Sequence, residues 1–140
     1  MSARSFFDTN ILIYTDDHDS PAKQRRALDL VAQARRAKSG VVSTQVLSEY
    51  FVTATRKLGV PAEVARRKVE LFAHFDLVVL ALPDVLNAID LHRLHALSFW
   101  DGLIVRAATQ ARCTVLYTED LQHGRDLDGL KIVNPFVTSD

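Results

Sequence analysis

The chain has 140 residues, with 17 Lys and Arg against 17 Asp and Glu, so its net charge before histidine is zero. A domain of this length buries roughly two-thirds of its unfolded surface; 48% hydrophobic with 24% charged residues excludes a disordered or fibrous chain. The totals lack the basic excess of a dedicated nucleic-acid binder, and the single cysteine, Cys113, excludes an internal disulfide.

A reducing compartment follows as the default. No charged-then-apolar segment opens the chain, and the longest aliphatic run, residues 77–82, is too short to cross a bilayer. The expectation is one soluble, cytoplasmic domain spanning 1–140, away from membranes. Basic residues gather at Lys23, Arg25, Arg26, Arg35, Arg36 and Lys38, and again from Arg56 to Lys68. They read as solvated helix faces.

In chain order, Ser5-Phe6-Phe7 is a short apolar run that suits a buried strand. Asp8 closes it and an apolar helical segment follows. Residues 16–20 are polar and form a loop; Ser20 as cap and Pro21 at the first helical position start a helix. Its apolar stripe is Ala27, Leu28, Val31, Ala32 and Ala34. After Gly40, Val41-Val42-Ser43 is a second strand. Thr44 caps a helix carrying Val46, Leu47, Tyr50, Phe51, Ala54 and Leu58 at helical spacing. Gly59 ends it, and Pro61 opens another with Val64, Val69, Leu71 and Phe72.

Residues 77–82 form an unbroken apolar run, which predicts a strand covered on both faces. Pro83 begins a helix, Ser98-Phe99-Trp100-Asp101 opens the next, and residues 114–118 form a strand. A polar loop punctuated by Gly124 and Gly129 leads to a last strand, Leu130-Lys131-Ile132-Val133. Strands alternating with helices predict an α/β fold, a parallel sheet of four to five strands with helices on both faces.

Four acidic positions stand out. Asp8 sits at the carboxyl end of the first strand, where open α/β sheets bind ligands; a lone buried carboxylate there needs a cation, donors or water. Glu119 and Asp120 follow the 114–118 strand in the same manner. Asp101 shares a helix face with Ile104 and Ala108. It fits two roles: an inward carboxylate, or the second half of a capping box with Ser98. Glu49 lies at the apolar edge of its helix, where a glutamate alone ordinarily reaches solvent.

Two like charges about 5 Å apart repel by roughly 3 kcal/mol at an effective dielectric near 20. Converging carboxylates therefore demand a cation or must hold protons. Oxygen ligands without a Cys/His cluster point to Mg²⁺ or Mn²⁺ rather than zinc.

The motifs Phe7-Asp8-Thr9-Asn10-Ile11-Leu12, Glu49 in a helix after a short strand, Trp100-Asp101 opening a helix, and Thr118-Glu119-Asp120 after a strand occur in that order across nearly the whole chain. Together they resemble the PIN-domain ribonucleases, and most nearly the VapC toxins of bacterial toxin–antitoxin pairs. The resemblance implies that 1–140 is one PIN domain and that Asp8, Glu49, Asp101 and Asp120 form a catalytic pocket for Mg²⁺ or Mn²⁺. Asn10 and Thr118 would be supporting residues. Either Glu119 or Asp120 could face the metal; the family's Thr-x-Asp pattern favours Asp120. It further implies a metal-dependent endoribonuclease acting on RNA, a cognate antitoxin partner and a homodimer.

Rival readings remain. His18, His74, His92, His95 and His123 are scattered, which argues against histidine-based RNA cleavage. A phosphoacceptor domain wants an early acidic pair that this first strand lacks, and a haloacid-dehalogenase-type site wants an aspartate where Asn10 stands. A catalytically silent PIN-like module binding RNA or protein is the alternative. Trp100 and Tyr50 read as core or dimer-interface residues, with stacking on exposed RNA bases as their other role.

Overall fold

The computed structural model describes residues 3–137. In chain order the elements are β1 (Ser5–Phe7), α1 (Thr9–Tyr14), α2 (Pro21–Ala37), β2 (Gly40–Ser43), α3 (Thr44–Arg56) and α4 (Ala62–Phe72). There follow β3 (Asp76–Val78), α5 (Leu82–His95), α6 (Phe99–Gln110), β4 (Val115–Tyr117), β5 (Asp126–Leu127) and β6 (Leu130–Val133). They form a six-stranded sheet in the order β3-β2-β1-β4-β6-β5. Every neighbouring pair is parallel except β5–β6.

Burial explains why β1 lies at the centre. Phe6 and Phe7 point to opposite faces of the sheet, yet neither is exposed to solvent. Both faces are therefore covered. Val41 and Val42 repeat the arrangement on β2, and Leu116 and Ile132 extend the core through β4 and β6. The helices meet them with Ile11 and Leu12 of α1, Leu30 of α2, Val46 and Tyr50 of α3, and Ile104 and Val105 of α6. Each such side chain contributes about 1.5–3 kcal/mol of burial.

Three local expectations are corrected. The apolar run 77–82 is not a strand covered on both faces: β3 ends at Val78 and pairs only with β2 at the sheet edge, and Val79 and Leu82 are 67% and 68% exposed. An edge strand has a neighbour on one side only, so apolarity there does not ensure cover. The polar loop after β4 contains a further strand, β5. Asp128 and Gly129 both have positive φ, 53° and 93°, the Asp-Gly turn that closes a tight hairpin onto β6, so the sheet has six strands rather than four to five and one is antiparallel. Finally, α3 is capped by Ser43, whose Oγ accepts from Val46 N at 3.3 Å, and not by Thr44.

The packing of α5 against α6 depends on a glycine. A Cβ at Gly102 would lie 2.8 Å from the Ala88 carbonyl oxygen, so only hydrogen fits between the two helices. That close approach sets the first turn of α6, which carries Trp100 and Asp101.

Candidate active site

The sheet order runs outward from β1 through β2 and β3 on one side, and through β4, β6 and β5 on the other. The carboxyl ends of β1 and β4 therefore flank the topological switch point, where open α/β sheets form their crevice. Asp8 leaves β1 there, with its amide still bonded to Tyr117 O at 3.0 Å. It then caps α1 in extended geometry, Oδ1 accepting from Thr9 N at 2.7 Å. Oδ2 accepts from the Thr118 hydroxyl at 2.7 Å. Thr118 Oγ1 in turn accepts from Asp120 N at 3.1 Å, so one hydroxyl joins the first and last acidic motifs.

A cleft of about 400 Å³ opens at this point. Asp8, Glu49, Asp101 and Asp120 all line it, delivered by β1–α1, α3, α6 and the loop after β4. Asp8 is 4% exposed, and burial pushes its carboxyl up to about 6. The Thr118 and Thr9 hydrogen bonds pull it down, and the charges of Asp120 and Glu49 push it up again. Asp120 is also raised, first by burial and then by the charge of Asp101, against the lowering effect of the Asn10 amide. Asp8 thus feels Asp120 and Glu49, and Asp120 feels Asp101, across the cleft.

The remaining residues brace this arrangement. Thr9 donates its hydroxyl to Glu49 Oε1 at 2.8 Å, tying α1 to α3. Asn10 Oδ1 accepts from Glu119 N at 3.3 Å and so holds the loop after β4. Ser98 caps α6 by accepting from Asp101 N at 3.0 Å. The cap uses the amide of Asp101 alone. Its carboxylate lines the cleft and, among the described residues, makes no return bond to the Ser98 amide, so the inward role holds and the capping box is only half formed.

The adjacent acids Glu119 and Asp120 part company. Glu119 turns away to Lys23 Nζ at 2.5 Å and the Tyr14 hydroxyl at 2.7 Å. Burial raises its carboxyl, but those two bonds outweigh burial and leave it below the usual range. Asp120 takes the cleft side.

Sequence reasoning missed Thr9, Gln45, Ser48 and Thr53, which also line the cleft. Gln45 and Thr53 stand four residues to either side of Glu49, a helical spacing that could have found them. The aromatic expectations divide. Tyr50 is buried in the core, its hydroxyl on Asp16 Oδ2 at 2.5 Å. Trp100 is 62% exposed and lines the cleft, which removes the core half of its core-or-interface reading. The histidines stay scattered: the ring of His92 meets Leu97 O and that of His123 meets Asn134 N, both outside the cleft.

The donors suit a hard divalent cation. They are all oxygen, Asp8 resists ionisation, and among the described residues none of the four cleft acids has a Lys, Arg or His ion-pair partner. Like charges repel, however, and among the described residues no three such side chains close into a group able to hold an ion. Also among the described residues, no helix is long and apolar enough to cross a membrane.

Comparison with known proteins agrees with this architecture. A toxin–antitoxin complex from Klebsiella pneumoniae is similar at 22% identity and a TM-score of 0.67, over 94% of this chain and 98% of that one. Mycobacterium tuberculosis VapC20, described as a sarcin-ricin loop cleaving toxin, shares 20% identity at a TM-score of 0.69, over 83% and 89%. VapBC2 from Rickettsia felis, bound to a DNA fragment from its promoter, shares 18% at 0.60, over 91% and 96%. A search of curated proteins matches none of them. The family model described as PIN domain matches residues 5–125, a span that takes in β1, the switch point and every acid of the cleft; the chain belongs to the PIN-domain family.

Proposed function

We propose that this PIN-domain protein is a metal-dependent endoribonuclease, the toxin of a toxin–antitoxin pair. The observation that carries the reading is the meeting of Asp8, Glu49, Asp101 and Asp120 in one cleft at the switch point, with Asp8 held up at about 6. A site built to keep unpaired carboxylates together in a half-buried cleft favours a cation whose field they share.

Asp8 and Asp101 would hold Mg²⁺ or Mn²⁺ most directly, with Asp120 and Glu49 completing the set. When bound, such an ion lowers the pKa of a coordinated water and offsets charge on a phosphate under attack. The chain's own residues supply the geometry. Thr118 and the Thr9 amide orient Asp8, the Thr9 hydroxyl orients Glu49, and Asn10 fixes the backbone that presents Asp120. A cleft carboxylate takes the proton of the attacking water. The products are a 5′-phosphate and a 3′-hydroxyl, and the RNA 2′-hydroxyl is not the nucleophile.

An antitoxin partner is part of the proposal, supported by the toxin–antitoxin complexes among the similar structures. So is a homodimer, supported by the exposed apolar side chains of Leu82, Leu86 and Ile89 on α5, and a cytoplasmic site of action. Purification with the product of the neighbouring gene, followed by RNA cleavage with and without EDTA, tests the set. Cleavage that needs Mn²⁺ or Mg²⁺ supports it. RNA retained but left uncut would favour a silent binding module, and a 2′,3′-cyclic phosphate made in EDTA would overturn the chemistry.

A further inference from the structure

The acidic cleft is the middle of a longer groove. A second hollow of about 490 Å³ shares Gln45, Ser48, Glu49 and Trp100 with it. On the other side a third, of about 460 Å³, shares Thr9, Thr53 and Asp120 and reaches Lys57. Gln45, Glu49, Thr53 and Lys57 are spaced four apart, so one face of α3 and its cap floors the whole groove. At 1.5 Å per residue that floor is about 18 Å long, enough for several nucleotides at about 3.4 Å each.

The two ends differ in chemistry. At one, the indole of Trp100 stands 62% exposed. Phe99 supports it edge-on, with centroids 5.1 Å apart at 74°, and Gln45 Nε2 holds its backbone carbonyl at 3.3 Å. The backbone of Trp100 is tied to α3, one aromatic neighbour backs its ring, and the indole offers area to a ligand. At the other end Lys57 is exposed and, among the described residues, forms no ion pair, although Asp17 lines the same hollow.

From this layout we infer that the groove binds single-stranded RNA in register, one base stacked on Trp100 on one side of the acids and a backbone phosphate on Lys57 on the other. The inference rests on the nuclease reading and deepens it. A stacking platform accepts any base through its π-face, whereas the lysine neutralises one phosphate without reading sequence. Together they place a single phosphodiester over the carboxylates, an arrangement that a duplex with its bases paired does not satisfy.

Trp100 is the only tryptophan in the chain, so its emission reports on this end of the groove alone. The Asp101→Asn protein is titrated with a short unstructured oligoribonucleotide labelled with a fluorophore. Anisotropy of the label follows binding and tryptophan emission follows stacking. Expected are quenching that saturates with binding, affinity about tenfold or more weaker in Trp100→Ala, and recovery in Trp100→Phe. Lys57→Ala should keep the quenching while reducing the slope of log Kd against log salt by about 0.7; Lys57→Arg should restore it. Binding without any change in emission would overturn the proposal and leave the nuclease reading intact. Emission that shifts with protein concentration before RNA is added would also overturn it, because a second copy of the chain then covers the indole. Failure of the labelled RNA to bind would remove both readings.

Discussion

Thr118 donates its hydroxyl to Asp8 Oδ2 at 2.7 Å, across 110 positions of sequence. The same oxygen accepts from Asp120 N at 3.1 Å, so a fully buried threonine sets two acids at once. Thr118→Val keeps the shape and removes both bonds. It should cost about 1–3 kcal/mol for the buried groups left unpaired and raise the Asp8 carboxyl further, since that bond is the strongest influence lowering it. The cleavage profile should move to higher pH and fall in amplitude, with Thr118→Ser restoring both. A profile unchanged in Thr118→Val would show that the hydroxyl has no hold on Asp8.

Asp8 itself makes stability depend on pH. Its folded value of about 6 stands above the ordinary aspartate value of 3.8, so the folded state binds its proton more tightly than the unfolded chain. Its contribution is therefore most favourable below about pH 4 and is lost as pH rises through about 6. The loss amounts to about 3 kcal/mol. Asp8→Asn has no proton to lose. Urea denaturation should show the variant gaining on the parent by up to about 3 kcal/mol between pH 4 and pH 7, while losing cleavage. Mn²⁺ added to the parent at pH 7 should recover part of that difference. A gap independent of pH would refute the account.

The two neighbouring acids should respond differently. Asp120→Asn removes a carboxylate from the cleft and should abolish cleavage. Glu119→Gln breaks a partly exposed pair with Lys23, worth about 1 kcal/mol or less, and should retain most activity with a slightly lower melting temperature. Equal losses in the two variants would mean that Glu119 does more than tether its loop.

Gly102→Ala places a methyl group 2.8 Å from the Ala88 carbonyl oxygen. Backbone on both sides leaves little room to give, so α6 must shift from α5. We expect about 1–3 kcal/mol of destabilisation and reduced cleavage, because Trp100 and Asp101 ride on the same turn. Unchanged stability in a denaturant titration would mean that the helices slide apart freely.

Much of this protein is written locally. Paired phenylalanines, β-branched runs and periodic helices depend on neighbours a few residues away, and they carry the alternation of strands with helices. The spots where Asp8, Asp101 and Asp120 enter, at strand ends and a helix start, are legible for the same reason. The Asp-Gly turn behind β5 was there to be read as well.

Tertiary structure alone decided the rest. Nothing near Glu119 and Asp120 in sequence distinguishes them; Lys23 and Tyr14, 96 and 105 positions away, turn one aside and leave the other to the cleft. The apolar run 77–82 and Trp100 looked like core, since composition reports affinity for burial but not whether another layer arrives to cover it. Cover depends on long-range placement: sheet order puts β3 at an edge, and the first turn of α6 leaves the indole at the rim of a groove. Local forces choose the elements, and long-range packing chooses which of their side chains meet.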